Sequence, residues 1–194
     1  GVTILEEAQC EFNGELNQPT INGKIHSADK VILSSGAWVD DLLNEIGYTS
    51  KMVGVKGQVA LCTGGPDISE IVHLNDHCYI LPRDGYLMVG ATTEARNWGT
   101  DFDEVGTDFV DEVLTKYFPS WEYQIVKSWA GIRPRSRDRL PLVGWVNDSV
   151  AICAGTYKNG ICMAPLLANY VKTLFTQETP ILDLSPWELS LIHI

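Results

Sequence analysis

The chain has 194 residues, of which 45% are hydrophobic and 20% charged, a balance typical of a globular protein with a buried core. Its formal net charge is -11, which argues against nucleic acid as the main partner because phosphate binding requires a positive face. Five widely spaced cysteines without a C-x-x-C pair argue against a disulfide framework or a zinc site, and with no signal peptide or membrane-length apolar run visible we expect a cytoplasmic protein without a membrane partner.

The first residues predict short strands and turns. Val2 to Leu5 has the composition of a strand, and the dipeptides Asn13-Gly14 and Asn22-Gly23 are typical of hairpin turns. The polar stretch between these two dipeptides has no helical periodicity. We therefore expect a β-hairpin ahead of the next apolar run.

A strand followed by a helix is predicted next. The apolar run Val31 to Leu33 ends at small residues and precedes a helical pattern from Trp38 to Ile46. In open α/β sheets, ligands bind at the carboxyl ends of strands. Gly36 and Ala37 stand at that end. Their small size either lets a ligand approach the backbone closely or serves only helix–strand packing.

From residue 52 onward, short β-like runs separated by turns predict an antiparallel sheet, a layer distinct from the first strand–helix unit. A helical pattern from Asp108 to Phe118 follows and ends at Pro119, and Gln124 to Trp129 has the pattern of another strand. The β-like runs are Val53 to Val55, Gln58 to Leu61, Ile71 to Leu74, Tyr79 to Leu81 and Tyr86 to Val89.

A cluster of four arginines precedes the last predicted elements, which are a strand (Val150 to Ala154), a glycine turn (Gly155 to Gly160) and a helix (Ile161 to Thr176). A guanidinium cluster beside a glycine turn that opens a helix suits anions such as a carboxylate or a phosphate. The alternative is a solvated loop whose arginines pair with nearby carboxylates. The arginines are Arg133, Arg135, Arg137 and Arg139.

Arg133 is the candidate for a specific anion contact. Pro134 follows it and restricts its backbone, and a fixed guanidinium at a strand end suits bidentate binding of a carboxylate. Tyr79 either donates its hydroxyl to the same carboxylate or is a core or edge aromatic. No Ser-His-Asp arrangement, paired-carboxylate motif or metal-ligand cluster occurs, so a cofactor must carry any difficult chemistry.

Five segments together resemble the D-amino acid oxidase-like family of FAD-dependent oxidoreductases, in order and spacing, from Gly1 to about Trp187. Within that family the resemblance is nearest to the glycine-oxidising branch linked to thiamine biosynthesis. It implies FAD as cofactor and oxidative deamination of glycine or a small amino acid, with oxygen reduced to hydrogen peroxide. The segments are VILSSGAWVDDLL, VKGQ, HCYILPRDGYLMVGAT, WAGIRPRSRDRLPLVG and AGTYKNGICMAP.

The resemblance also implies residue roles at the substrate end. By position, Arg133 would bind the substrate carboxylate with Tyr79 assisting, and His77 would lie near the pocket. Thr93 stands where one branch of the family has a lysine that activates oxygen and the glycine-oxidising branch has methionine. We therefore assign Thr93 to substrate binding and leave the choice among small amines open.

At the cofactor end, the resemblance places Cys10 against the adenosine part of FAD through its backbone, and Gly36 is assigned to the cofactor as well. The glycine turn would wrap the isoalloxazine ring. Family members carry His or Arg at two of its positions, where this chain has Thr156 and Lys158. The turn residues assigned to the cofactor are Thr156, Tyr157, Lys158, Asn159, Gly160, Ile161 and Cys162.

We expect a mixed α+β and α/β chain with a partial, glutathione reductase-like FAD-binding domain (1–48 and 129–187) and an antiparallel-sheet substrate domain (49–128). Residues 188–194 do not resemble a family tail. The sequence contains no G-x-G-x-x-G, the family's pyrophosphate-binding turn. We therefore expect the carboxyl-terminal portion of an oxidase, inactive in isolation, whose full-length parent is a possible homo-oligomer.

Two other functions compete with the oxidase. The chain is either a fragment that folds around its antiparallel sheet without stable FAD binding, or the flavin domain of a bifunctional enzyme that modifies tRNA. A basic surface would favour the tRNA enzyme, and the net charge of -11 counts against it.

Overall fold

The computed structural model describes residues 1–12, 18–74, 78–176 and 178–187. The chain forms two compact units, one from Gly1–Val53 and Pro134–Ile194 and the other from Gly54–Arg133. We call them unit 1 and unit 2. The assignment of an FAD-binding role to unit 1 and of a substrate role to unit 2 stays a prediction.

Strands and helices alternate irregularly along the chain, and short 3-10 turns occur at Gly36–Trp38 and Ser185–Trp187. The elements in chain order are β1 (Cys10–Phe12), β2 (Pro19–Ile21), β3 (Lys24–Ile25), β4 (Val31–Leu33), α1 (Val39–Glu45), β5 (Val53–Cys62), β6 (Val72–His73), β7 (Tyr79–Arg83), β8 (Tyr86–Gly90), β9 (Glu94–Ala95), α2 (Glu104–Tyr117), β10 (Ile125–Arg135), β11 (Leu142–Trp145), β12 (Val150–Ala154) and α3 (Gly160–Thr176).

In unit 1, strands β1, β2 and β3 form a small antiparallel sheet. Asn22 and Gly23 both have positive φ, as a tight hairpin turn requires, so the turn predicted there is formed. The strand expected at Val2 to Leu5 is not formed, because these apolar side chains are exposed and no partner strand pairs with them among the described residues. Asn13-Gly14 lies outside the described residues.

The second sheet of unit 1 has the order β11-β12-β4, and β12 runs parallel to β4. The predicted strand–helix unit is present. Trp38, predicted as the first helical residue, lies instead in a 3-10 turn between β4 and α1. Apolar side chains of α1 and this sheet form one core, and α3 packs against Val143 in a second. The carboxyl ends of β4 and β12 therefore lead into the two segments assigned to the cofactor.

Unit 2 is built on a sheet with the order β10-β5-β8-β7-β6, and β9 also pairs with β5. Side chains alternate between its faces. One face packs against α2, with Ala60 and Ile80 among its buried residues. The other face carries Val59 and Met88, and Tyr79 packs against them. The sheet thus packs against a helix on one face and carries candidate site residues on the other.

The two predicted β-like runs from Val53 to Leu61 form the single strand β5, and the bounds of α2 and β10 differ from the prediction by several residues. Helix α2 begins at Glu104 instead of Asp108, because the Asp103 side chain accepts a hydrogen bond from the Val105 amide and caps the helix. Strand β10 continues to Arg135 instead of ending at Trp129. It is an edge strand of its sheet, where a proline is tolerated.

Across the described residues, every helix is too short or too polar to span a bilayer.

Candidate functional site

Arg133 lies in β10 of unit 2, half-buried, with its guanidinium held by main-chain oxygens. Its Nη1 donates a hydrogen bond to the carbonyl of Thr92 at 3.1 Å and a longer one to the carbonyl of Lys56 at 3.5 Å. No carboxylate within the described part of the chain pairs with it. A positioned guanidinium without a protein carboxylate suits an external anion.

Gly57 provides the surface on which this guanidinium rests. A Cβ atom built on Gly57 would lie 2.1 Å from Nη1, 2.2 Å from Nη2 and 2.3 Å from Cζ of Arg133. The guanidinium therefore occupies the space that any side chain at position 57 would need. Gly57 and Arg133 thus lie on the same face of the sheet as Val59 and Tyr79.

Tyr79 packs on that face in the row formed by Val59, Gly90 and Tyr79 on neighbouring strands. A Cβ atom on Gly90 would lie 3.0 Å from the tyrosine hydroxyl oxygen, so the ring lies across this glycine. Burial raises the pKa of Tyr79, the positive charge of Arg133 opposes that rise, and Cys78 adds to it. The phenol therefore stays protonated at neutral pH and is available as a hydrogen-bond donor.

A polar network lies on the opposite face of β5. Lys56, only 2% exposed, pairs through Nζ with Asp103, and Gln58 Nε2 donates to Asp103 at 2.7 Å and to Glu94 at 2.9 Å. The Thr92 hydroxyl donates to Glu94 at 2.6 Å and accepts the Gln58 amide at 3.0 Å. The network therefore reaches Thr92 and Lys56, the two residues whose carbonyls hold Arg133.

This network was not predicted from the sequence. Its one signal is the placement of Lys56 and Gln58 inside an apolar strand, where unpaired polar side chains would be costly. The partners Glu94 and Asp103 lie about forty residues further along the chain. Only the pairing of β5 with β9 and the capping of α2 bring these partners to the strand.

The Asp103 carboxyl makes the stability of the fold depend on pH. Its pKa is lowered to about 2, first by the hydrogen bond from Lys56 and then by the one from Gln58. An unfolded aspartate has a pKa of about 3.9, so the ionised carboxylate stabilises the fold above about pH 4, and this contribution is lost as the pH falls towards 2.

We expect the Asp103→Asn variant to lose this dependence. Circular-dichroism melting curves between pH 4 and pH 2 (roughly the window between the two pKa values) should fall less steeply for the variant than for the unchanged chain. Asp101→Asn, a change at an exposed neighbour, is the control and should keep the original slope. Equal slopes for the Asp103→Asn variant and the unchanged chain would contradict the assignment.

In unit 1, the turn from Gly155 to Gly160 is anchored by main-chain contacts. Thr156 bridges to Arg135, and the Tyr157 amide donates to the Pro134 carbonyl at 2.8 Å. The turn requires positive φ at Gly155 and Tyr157. A Cβ atom on Gly160 would lie 2.8 Å from the Thr156 hydroxyl, so the turn closes tightly around this glycine.

The same turn presents donors and positive charge. Helix α3 begins at Gly160, and the first amides of a helix have no acceptor within it, so the amides of Gly160, Ile161 and Cys162 can bind an electron-rich group. Ile161 and Cys162 are exposed there. Lys158 Nζ lies 5.5 Å and Arg135 Cζ 6.0 Å from the Tyr157 ring centre. These features fit the electron-rich edge of a flavin.

Two further cofactor candidates also lie in unit 1. Gly36 follows β4 with φ of 63°, and no atom lies within 4 Å of a Cβ atom built on it, which leaves room for close approach of a ligand. Cys10 is half-buried in β1. Burial raises its thiol pKa, as do the charges of Glu45 and Glu11. A contact of Cys10 with a cofactor would therefore involve its backbone or a neutral thiol.

The remaining candidates are Thr93, His77 and the three other arginines of the cluster. Thr93 is exposed and lines a cleft of about 440 Å³ between the β8–β9 segment and α2. His77, predicted near the substrate pocket, lies outside the described residues. The arginines Arg135, Arg137 and Arg139, for which loop ion pairs were the alternative, make none with the described carboxylates.

Comparisons with known proteins agree with the motifs. A family model described as FAD dependent oxidoreductase (DAO) matches residues 1–174. Glycine oxidase of Pseudomonas aeruginosa is 34% identical over 176 residues, which cover 87% of this chain and 47% of that protein. The bifunctional protein ThiO/ThiG of Synechocystis sp. is 28% identical over 186 residues, which cover 92% of this chain and 27% of that protein.

A solved structure shows the same architecture. The crystal structure of glycine oxidase from Geobacillus kaustophilus matches with a TM-score of 0.80 at 28% identity, covering 90% of this chain and 48% of that one. The match confirms the predicted fold class, a partial FAD-binding fold with an antiparallel sheet. The chain spans about half the length of the glycine oxidases that it matches.

Proposed function

Because the chain belongs to the DAO family of FAD-dependent oxidoreductases, as its motifs predicted, we propose that the whole protein oxidises glycine or another small amino acid. The amino acid is oxidised to an imino acid, which water hydrolyses to a keto acid and ammonia, or to a keto acid and an amine when the substrate is N-substituted. Oxygen is the electron acceptor and hydrogen peroxide the second product. The glycine oxidases among its relatives support this choice of substrate class.

The observation that carries the proposal is that Arg133 is fixed in place without a carboxylate partner among the described residues. Its guanidinium is half-buried and held on one side by the Thr92 and Lys56 carbonyls, and no described carboxylate neutralises it. A fixed guanidinium fork binds a carboxylate through two parallel hydrogen bonds. We therefore assign Arg133 to the substrate carboxylate and the protonated hydroxyl of Tyr79 to a second hydrogen bond.

FAD, when bound, supplies the two-electron oxidation that no side chain here can perform. The residues proposed to hold it are Cys10, Gly36 and the turn from Thr156 to Cys162. With FAD bound, Lys158 would supply positive charge to stabilise negative charge on the reduced flavin, and the amides at the start of α3 would add hydrogen-bond donors. His77 and Thr93 are proposed to line the substrate pocket, where one methyl group changes selectivity by only about 1–3 kcal/mol.

The proposed partners are a small amino acid or amine and oxygen. We place the protein in the cytoplasm, without a nucleic-acid or membrane partner, and leave a homo-oligomer of the full-length protein possible. The negative net charge supports the absence of a nucleic-acid partner.

The test is turnover by the natural full-length protein that contains this chain. We expect glycine, sarcosine or D-alanine to yield hydrogen peroxide in a peroxidase-coupled assay, with the matching keto acid in equal amount. An amine of the same size without a carboxylate, such as ethylamine, is the control substrate and should react far more slowly. Failure of all three amino acids, or equal rates with ethylamine, would refute the proposal.

The same experiment includes residues 1–194 alone. They lack a G-x-G-x-x-G turn for the pyrophosphate, so we expect weak or no FAD binding and no activity from this chain by itself. Quenching of flavin fluorescence during titration measures this binding, with the full-length protein as the positive control. A yellow, stoichiometric complex of residues 1–194 with FAD would overturn this expectation.

A further inference from the structure

Gly57 lies directly beneath the Arg133 guanidinium, and its lack of a side chain leaves the space that the guanidinium fills. A Cβ atom there would overlap three guanidinium atoms at 2.1–2.3 Å. We propose that Gly57 is a positioning residue for carboxylate binding: it sets the height at which the Arg133 guanidinium lies over the sheet. The inference rests on the proposed role of Arg133.

The backbone at Gly57 cannot retreat to make room for a side chain. On the opposite face, Lys56 is tied to Asp103, and Gln58 is tied to both Asp103 and Glu94. The Gln58 amide and carbonyl also bond to Thr92, at 3.0 Å and 3.2 Å. These contacts clamp β5 immediately before and after Gly57.

The guanidinium, in contrast, can move. It is the end of a flexible side chain, and its described contacts are the two hydrogen bonds from Nη1 to main-chain carbonyls. A methyl group at position 57 would therefore displace Arg133 and leave the strand in place. The substitution Gly57→Ala is therefore expected to move the guanidinium without lowering the stability of the fold.

Gly131 provides a matched control. It lies in the same strand as Arg133, and no atom lies within 4 Å of a Cβ atom built on it. Gly57 and Gly131 both have ordinary strand φ, so alanine strains neither backbone. The two alanine variants thus differ in whether the added methyl group meets Arg133.

The experiment uses the full-length protein with FAD bound and acetate as the carboxylate probe. For Gly57→Ala we expect acetate and amino acid substrates to bind on the order of 10- to 100-fold more weakly, because small misplacement of a binding group has effects of this size. The melting temperature and the FAD content should stay unchanged. Gly131→Ala should behave as the unchanged protein throughout.

A second measurement does not depend on the substrate. The nitrogen-15 signals of the Arg133 guanidinium, assigned with an Arg133→Lys variant, should shift in Gly57→Ala and stay in place in Gly131→Ala. Unshifted signals, or unchanged acetate binding, would overturn the role of Gly57. If the unchanged protein binds no carboxylate, the proposed function fails, and the guanidinium signals still decide whether Gly57 positions Arg133.

Discussion

The Arg133→Ala variant is expected to bind an amino acid substrate about 30- to 1,000-fold more weakly, equivalent to about 2–4 kcal/mol. The loss has two parts. The substrate carboxylate loses two charged hydrogen bonds, and Lys56, which contacts Arg133 through its carbonyl, cannot replace the guanidinium because its ammonium group is paired with Asp103 on the opposite face of the strand. The effect should appear in kcat/KM for glycine and in the dissociation constant of acetate.

The fold should tolerate this change. Arg133 lies in an edge strand, and its side chain makes no ion pair with any described residue, so the melting temperature should stay close to that of the unchanged protein. Arg137→Ala, a change at an exposed arginine nearby in the sequence, is the control and should leave substrate binding unaltered. Unchanged turnover and affinity in the Arg133→Ala variant would remove the basis of the proposed function.

Replacing Ile80 with alanine is expected to lower the free energy of unfolding by about 2–5 kcal/mol. Ile80 is fully buried between the sheet of unit 2 and α2, in the core that includes Ala60, Val89 and Val110. Truncation removes apolar contact and leaves a cavity that this packing fills only in part. Urea denaturation followed by tryptophan fluorescence measures the loss.

Ile71→Ala is the matched control for this core variant. Ile71 is 61% exposed in the same unit, and its truncation should change the free energy of unfolding by less than about 0.5 kcal/mol. Similar losses for both variants would mean that the α2 core does not dominate the stability of unit 2. Since Ile80 faces away from Arg133, the molecules that remain folded should keep their affinity for acetate.

Elements whose sequence signal is local were predictable. Val150 to Ala154 was predicted as a strand with the bounds observed, and the glycine turn and the helix after it are in place. The expected strand at Val2 to Leu5 failed because an apolar pattern alone cannot show whether a partner strand exists. Strand β10 was predicted to end at Trp129, and its continuation to Arg135 along the edge of the sheet depends on the topology, which the local pattern does not show.

The candidate site was predictable only in part. Arg133 and Tyr79 were identified because their chemistry and the family motifs point to a carboxylate, and the structure places both on one face of unit 2. The support beneath Arg133 was not identified. Gly57 carries no chemical signal of its own, and Asp103 reaches β5 only through the tertiary fold.

Because side chains alternate along β5, the positions that face the proposed substrate differ from the positions whose contacts fix the strand in the fold. Val59 and Leu61 point to the side that carries Tyr79, whereas Lys56 and Gln58 are committed to contacts with Asp103. A directed-evolution library restricted to positions 59 and 61 therefore varies the wall near the proposed substrate while the anchoring contacts persist. A library that spans the whole strand would also replace Lys56 and Gln58 and so remove the contacts that hold β5.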